Sequence, residues 1–238
     1  MLHIAVRLSQ HLDAIFRRAI IKGRADANPV AALKVSDVVT LPPTRHNRAL
    51  EADDLKLLLD SLSVVGTAIT RLALRLLLLT SVRTVELRGA TWKEIDLKSA
   101  VWAIPGERMK MGHPHVVPLS AQAIEILKEI QKITGATAAD DYLFANIKDK
   151  SRPMAPTTIN AALIRAGFND ERLFRAHGAR GTFSTWAHER GYAPLAIERQ
   201  LAHVEKNRVS RAYNRAEFLP ERRKMMQDWG DYLQSMSG

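Results

Sequence analysis

Apolar residues recur at helical spacing over the first twenty positions: Ile4, Leu8, Leu12, Ile15, Ala19 and Ile20, with His11 beside the stripe. That period predicts a helix over 2–23, which Gly23 can end. After Asn28-Pro29 and a short apolar piece to Leu33, residues 36–48 hold Pro42-Pro43 and no helical period, the signature of a linker. Beyond it, helices are predicted over 51–62, opened by Glu51, Asp53 and Asp54, and over 67–79, an almost unbroken apolar run. A helical turn follows Arg83 through Leu87. The pattern then shortens to strand-like stretches at 92–97, 101–104 and 115–118, the last two flanking the basic loop GERMKMGHPH. Residues 121–133 form a clear amphipathic helix, and further helices are expected over 157–166, 182–190, 194–202, 207–216 and 220–235, the last carrying Met225, Met226, Trp229 and Leu233. The fold class is therefore mainly α with a small three-stranded antiparallel β-sheet. One helix ahead of a linker has little to pack against, so residues 1–35 read as the end of a domain that begins elsewhere, 36–48 as the linker and 49–238 as the main domain.

Composition narrows the function. The chain has 238 residues, of which 46% are hydrophobic and 25% charged, which is ordinary for a globular protein. No apolar run approaches the roughly 20 residues a membrane span needs, and the stretch from Leu72 to Thr80 is broken by Arg75. The opening MLHIAVRLSQ lacks a signal-peptide pattern, so export is not expected. The lack of Cys excludes disulfides, a thiol nucleophile and a cysteine zinc site. The formal net charge is +10. Between Arg172 and Lys224 there are 12 Lys+Arg against 5 Asp+Glu, interleaved with His, Trp and Tyr. A folded basic surface fits that arrangement better than a disordered arm, and it suits a polyanionic partner.

Taken singly, the chemistry-bearing residues have plain explanations. Arg83 can pair with Glu86 at a helix end. His177 and Arg180, spaced i, i+3, share a helix face and could contact a phosphate together. His203 suits a helix C-terminus, Tyr213 a core position with a wet hydroxyl, and Lys110 an exposed hairpin. His113 and His115 lack further ligands at metal spacing, so no metal is expected. No GxxxxGK[ST], GxGxxG or HExxH motif is present, and no cofactor is expected.

Taken in chain order they form something more specific. Arg, Lys, His-x-x-Arg, His and Tyr in this succession resemble the catalytic domain of the tyrosine recombinases, the phage integrases. TSVRTVEL is similar to the first box, placing its arginine on Arg83 and its supporting acid on Glu86. MKMGHPHVVPLS resembles the hairpin that carries the family's lysine, here Lys110. HGARGTF resembles the second box, giving His177 and Arg180, and LAHVEKNRVSRAY gives His203 and the nucleophile Tyr213. The likeness covers 46–238 and reaches into 2–33, which resemble the last helix of the family's core-DNA-binding domain. The flanking text looks most like integrases of prophages and genomic islands. Two departures stand out: Ser81 occupies a position that is often Gly, and the interval from His203 to Tyr213 is one residue longer than in many relatives.

The resemblance implies a metal-free strand transfer on a DNA phosphodiester. Attack by Tyr213 builds charge on the non-bridging oxygens, which Arg83 and Arg180 would meet as fork donors, helped by His177 and His203. His177 would serve as base for a phenol of pKa about 10, and Lys110 would protonate the leaving 5′-oxygen. The implied product is a 3′-phosphotyrosyl bond, later attacked by a second strand in prophage or genomic-island integration and excision. A type IB topoisomerase shares such a site, and an inactive DNA-binding remnant is the reading from another class. The resemblance further implies double-stranded attachment-site DNA as partner, a homotetramer on DNA, an excision or directionality factor, a host DNA-bending protein, no membrane, and a bacterial cytoplasmic, nucleoid-associated location. Trp229 is expected to pack on its own domain, while docking of residues 231–238 on a neighbouring protomer is left open.

Overall fold

The computed structural model describes residues 2–33, 49–136, 138–169, 174–203 and 217–236. The linker, the helix expected over 207–216 and Tyr213 lie outside the described residues. The chain divides into two units, Met1–Arg45 and His46–Gly238.

In the first unit, helix α1 (Leu2–Ile21) ends where Gly23 takes a left-handed φ of +62°. Asn28 folds back, donating to the Asp13 carboxylate at 2.8 Å. Ile4, Leu8, Ile15 and Ile21 of α1 are exposed.

The second unit is built round α3 (Ala68–Thr80), following α2 (Ala52–Ser61). Thr67 caps α3 by accepting the Thr70 amide, and Leu72, Leu74, Leu76, Leu77, Leu78 and Leu79 are all buried. A helix apolar on nearly every side must lie in the middle of a core, and α3 packs against α5 (Ala121–Thr134), α6 (Thr158–Arg165), α7 (Gly178–Glu189) and α9 (Leu219–Met236). Short helix α4 (Thr84–Arg88) leads into the sheet, and α8 (Pro194–Gln200) lies between α7 and α9 in the chain. In α9, Trp229 is fully buried, donates its indole N–H to the Leu78 carbonyl at 2.8 Å and meets Trp186 with ring centroids 5.0 Å apart. It packs on its own unit, as does Leu233.

Strands β1 (Ile95–Asp96), β2 (Val101–Ile104) and β3 (His115–Pro118) form one antiparallel sheet in that order, with Ile95 opposite Trp102 and Ile104 opposite His115. The first strand is shorter than the expected 92–97. Trp92–Glu94 instead make a 3₁₀ turn, and the amides of Trp92 and Lys93 bond to the carbonyls of Asp141 and Ala139, so the 138–141 loop takes donors that a strand would have given to the sheet. Helix α7 starts at Gly178, four residues earlier than expected. Burial of Ala179 and Arg180 overrides the poor helix propensity of GARG.

Candidate active site

Arg83 stands at the N-cap position of α4, directly after the left-handed turn that closes α3. Glu86, three residues on and 1% exposed, accepts both the Arg83 amide and its guanidinium at 2.7 Å. The plain reading, an Arg83–Glu86 ion pair at a helix end, is thus present, and it does more than stabilise α4: it fixes the direction of the guanidinium. The second guanidinium nitrogen donates to the Ala202 carbonyl at 3.1 Å, across 119 residues of sequence.

Arg180 reaches the same place from α7. It is 5% exposed and donates to the carbonyls of Ser81, at 2.9 Å, and Leu201. Consecutive carbonyls at the end of α8 therefore each hold one arginine: Leu201 holds Arg180 and Ala202 holds Arg83. Helix C-termini carry unpaired carbonyls and partial negative charge, which with the Glu86 carboxylate lets two cations gather there. Burial and the neighbouring Arg83 lower the Arg180 pKa to about 10, with Glu86 and Glu198 opposing. It remains charged at neutral pH.

The turn chemistry explains the Ser81 departure. Ser81 has φ +53°, a left-handed conformation that favours Gly, and its hydroxyl faces the Leu78 carbonyl at 3.4 Å. The turn is made with a serine in place. Ala202 has φ +48°, and its amide and that of His203 bond back to the Arg199 and Glu198 carbonyls, closing α8 in a Schellman motif. His203 is thus at a helix C-terminus, exposed, with Nδ1 2.8 Å from a Glu198 carboxylate oxygen.

His177 occupies the N-cap position of α7, exposed, while Arg180 lies buried in the first turn. They share an end of the helix at different depths. Partial burial, then Arg180, Arg83 and His203, hold the His177 pKa below the ordinary imidazole value, which keeps it neutral at pH 7. Lys110 is exposed in the loop between β2 and β3. Arg83, Glu86, Arg180, His177 and His203 are thus brought to one place from three separate stretches of sequence, while Tyr213 falls outside the described residues.

Beneath this surface lies a polar layer that the motifs did not announce. Gln200, fully buried, donates its side-chain amide to the Thr80 carbonyl at 3.2 Å and accepts Arg222 at 2.9 and 3.1 Å. Its backbone carbonyl accepts Nε2–H of His115 at 3.1 Å. Arg222, fully buried, also donates to the carbonyls of Val116 and Glu217. His113 is exposed and His115 buried, so the two rings occupy opposite environments. A signal for Arg222 was available: it stands at i, i+3, i+4, i+7 and i+11 with Met225, Met226, Trp229 and Leu233, on the face that becomes buried.

Residues 48–219 match the model of the phage integrase family, a span that contains all seven expected site residues. The chain belongs to the phage integrase family. This integrase-family chain is 38% identical over 247 residues to the IntB protein of Escherichia coli K12, covering 98% of this chain and 61% of that protein. It is 37% identical over 245 residues to the integrase of Enterobacteria phage P4, covering 97% and 55%. It thus spans between half and two thirds of the length of these relatives. In fold it is similar to the Tn1549 transposon integrase (residues 82–397) solved with circular intermediate DNA, at 20% identity and a TM-score of 0.63, over 94% of this chain and 83% of that one.

Proposed function

We propose that this chain supplies the catalytic part of a site-specific DNA recombinase, which cleaves and rejoins strands through a 3′-phosphotyrosyl intermediate. The observation that carries the reading is the pair of arginines held by successive carbonyls at one helix end, with a neutral imidazole beside them. Two fixed guanidiniums can take the non-bridging oxygens of a phosphodiester and stabilise the charge that grows on them during attack, which needs no metal. Tyr213 is the proposed nucleophile. His177, kept neutral by its cationic neighbours, takes the phenolic proton, and His203 donates to a non-bridging oxygen. Lys110 gives a proton to the leaving 5′-oxygen. The bond formed is tyrosine oxygen to phosphorus and the bond broken is phosphorus to 5′-oxygen, so the energy is retained for attack by the 5′-hydroxyl of a second strand.

The partner is double-stranded attachment-site DNA, as the DNA complex of the Tn1549 relative suggests. The basic surplus supports phosphate contacts and binding that weakens steeply with salt. A homotetramer on two duplexes, a directionality factor and a host bending protein belong to the same proposal, as does action in the bacterial cytoplasm on the nucleoid. Among the described residues no helix is long and apolar enough to cross a membrane. The first unit is proposed as the end of a core-DNA-binding domain, whose remaining part would cover the exposed apolar residues of α1.

Covalent trapping tests the reading. Nicked duplexes from host junctions are incubated with the protein and resolved on denaturing gels, with Tyr213→Phe as control. A DNA adduct that requires Tyr213 is expected. Salt-sensitive DNA binding without an adduct would replace recombination with the binding-only alternative. Relaxation of supercoiled plasmid by monomers without strand exchange would favour a topoisomerase.

A further inference from the structure

The loop that carries Lys110 is more firmly built than an exposed basic hairpin would be. After Pro105 it makes a 3₁₀ turn, Gly106–Arg108, and then buries Met109 to 9% exposure. Its two limbs cross closely: a Cβ on Gly106 would fall 2.5 Å from the Gly112 carbonyl oxygen, so the crossing requires glycine there. The Gly112 amide bonds to the Met109 carbonyl at 3.0 Å, which closes a turn around Lys110 itself.

Arg108 turns back from this loop into the protein. Its guanidinium meets both carboxylate oxygens of Glu94 and donates to the backbone carbonyl of Glu86. Glu94, 6% exposed, is itself held by the Trp102 indole N–H at 2.9 Å and the Thr91 hydroxyl at 3.3 Å. Glu86 therefore faces two ways. Its side chain fixes the Arg83 guanidinium, and its backbone carbonyl fixes Arg108, two residues from Lys110. The fit is close, since a Cβ on Gly89 would lie 3.0 Å from the Arg108 guanidinium. A fork donor can bridge a carboxylate and a carbonyl at once, whereas an ammonium offers a single point.

We propose that Arg108 is a positioning residue, which, through Glu94 and the Glu86 carbonyl, sets the Lys110 loop in register with Arg83. The inference rests on the recombinase reading and deepens it. One phosphate would bind Arg83 through its non-bridging oxygen while its 5′-oxygen faces Lys110, so the two groups must keep a fixed separation. Arg108 acts on the leaving-group step through Lys110 and does not touch DNA in that step.

The test uses the full chain with Arg108→Ala, Arg108→Lys and the charge-free pair Arg108→Gln/Glu94→Gln, the pair serving if Arg108→Ala does not fold. Adduct formation is measured on nicked duplexes with an ordinary 5′-oxygen and with a bridging 5′-sulfur, which leaves without an acid. Hydrogen exchange over residues 105–114 is followed in parallel. Arg108→Ala is expected to slow cleavage of the oxygen substrate about 30-fold, a part of what a general acid supplies, and of the sulfur substrate less than about 3-fold. Arg108→Lys should fall between wild type and Ala. Exchange over 105–114 should rise while that of α3 and α5 stays unchanged, and in a Lys110→Ala background Arg108→Ala should cost little more. Equal losses on both substrates, or unchanged loop exchange, would overturn the proposal. If wild type forms no Tyr213-dependent adduct on either substrate, the recombinase reading fails and the catalytic role of Arg108 falls with it, while the exchange data still show whether Arg108 holds the loop.

Discussion

Two buried arginines sit close to the same helix end and serve opposite ends. Burial lowers the pKa of Arg180 and of Arg222 alike, each to about 10. Arg222 is surrounded by acceptors that belong to the fold: the Gln200 amide oxygen, the carbonyls of Val116 and Glu217, and a Glu217 carboxylate at 3.6 Å. Arg180 has carbonyls from Ser81 and Leu201, and its strongest charged neighbour is another cation, Arg83. A buried cation that faces a like charge is costly unless an anion completes it. Arg222 is an internal strut, whereas the proposed function makes Arg180 half of a site that an external phosphate would complete.

The largest effect should separate these roles. Arg180→Lys, which can satisfy one carbonyl at a time, is expected to lower single-turnover adduct formation about 10³-fold, in line with the loss of a preorganised donor to a developing oxyanion. Binding to duplex DNA at fixed salt should change far less, because many phosphate contacts share it. Arg83→Ala should behave in the same way. Near wild-type cleavage by either variant would dissolve the comparison.

Arg222→Leu should show the reverse pattern. It leaves the Gln200 side chain and two backbone carbonyls without donors, at about 3 kcal/mol after relaxation. For a unit of this size that is a fall of about 6–12 °C in Tm. Cleavage by the protein that remains folded should stay within about 5-fold of wild type, at a temperature well below the melt.

Acid should reach the polar layer through His115. Its ring is buried, with Nε2–H donated to Gln200, and burial followed by Arg222 depresses its pKa to about 3. The unfolded chain, with an ordinary imidazole, takes a proton near pH 6.5, whereas the native ring stays neutral. The stability this gives the native state is complete above 6.5 and is lost as the pH falls towards 3. Between pH 6.5 and 5 the loss is about 2 kcal/mol, or about 4–8 °C in Tm. His115→Gln, which keeps a donor for the Gln200 carbonyl, should flatten this slope even if it lowers Tm at pH 7.

The contrast between strut and site also explains what the sequence made legible. Arg83, His177, Arg180 and His203 could be placed because their order and spacing carry a motif, and helix α3 because a run such as LALRLLLL has one physical outcome. The 3₁₀ turn over Trp92–Glu94 was hidden because a stretch as short as WKEIDL has no period that tells a turn from a strand, and only the distant 138–141 loop decides where its amides bond. The roles of Gln200, Arg222 and Arg108 were hidden for a related reason, although its spacing with Met225, Met226, Trp229 and Leu233 marked Arg222 for burial. Their partners are backbone carbonyls and a side chain from far along the chain, and a carbonyl has no letter of its own. The expectation that Lys110 rides on an exposed hairpin holds for its side chain, but not for the anchored loop beneath it.

The smallest expected effect concerns the turns that supply those carbonyls. Ser81 and Ala202 are both left-handed, at φ +53° and +48°, and both present a carbonyl to an arginine, Arg180 and Arg83 respectively. The left-handed residue after a helix turns the chain sharply, so the carbonyl leaves the helix direction and faces inwards. The acceptors thus come at a conformational cost of about 1 kcal/mol each for a residue with a Cβ. Ala202→Gly should relieve it, raising stability by about 0.5–1 kcal/mol after allowance for the looser unfolded chain, or about 1–4 °C in Tm. Ser81→Gly should gain less, because it gives up the hydroxyl contact to Leu78. If Ala202→Gly raises Tm and leaves adduct formation unchanged, the strain is only the means of aiming a carbonyl. A gain in stability accompanied by slower cleavage would mean that the stiffness of an Ala at this turn helps to hold Arg83, and would move Ala202 from the supporting frame into the site.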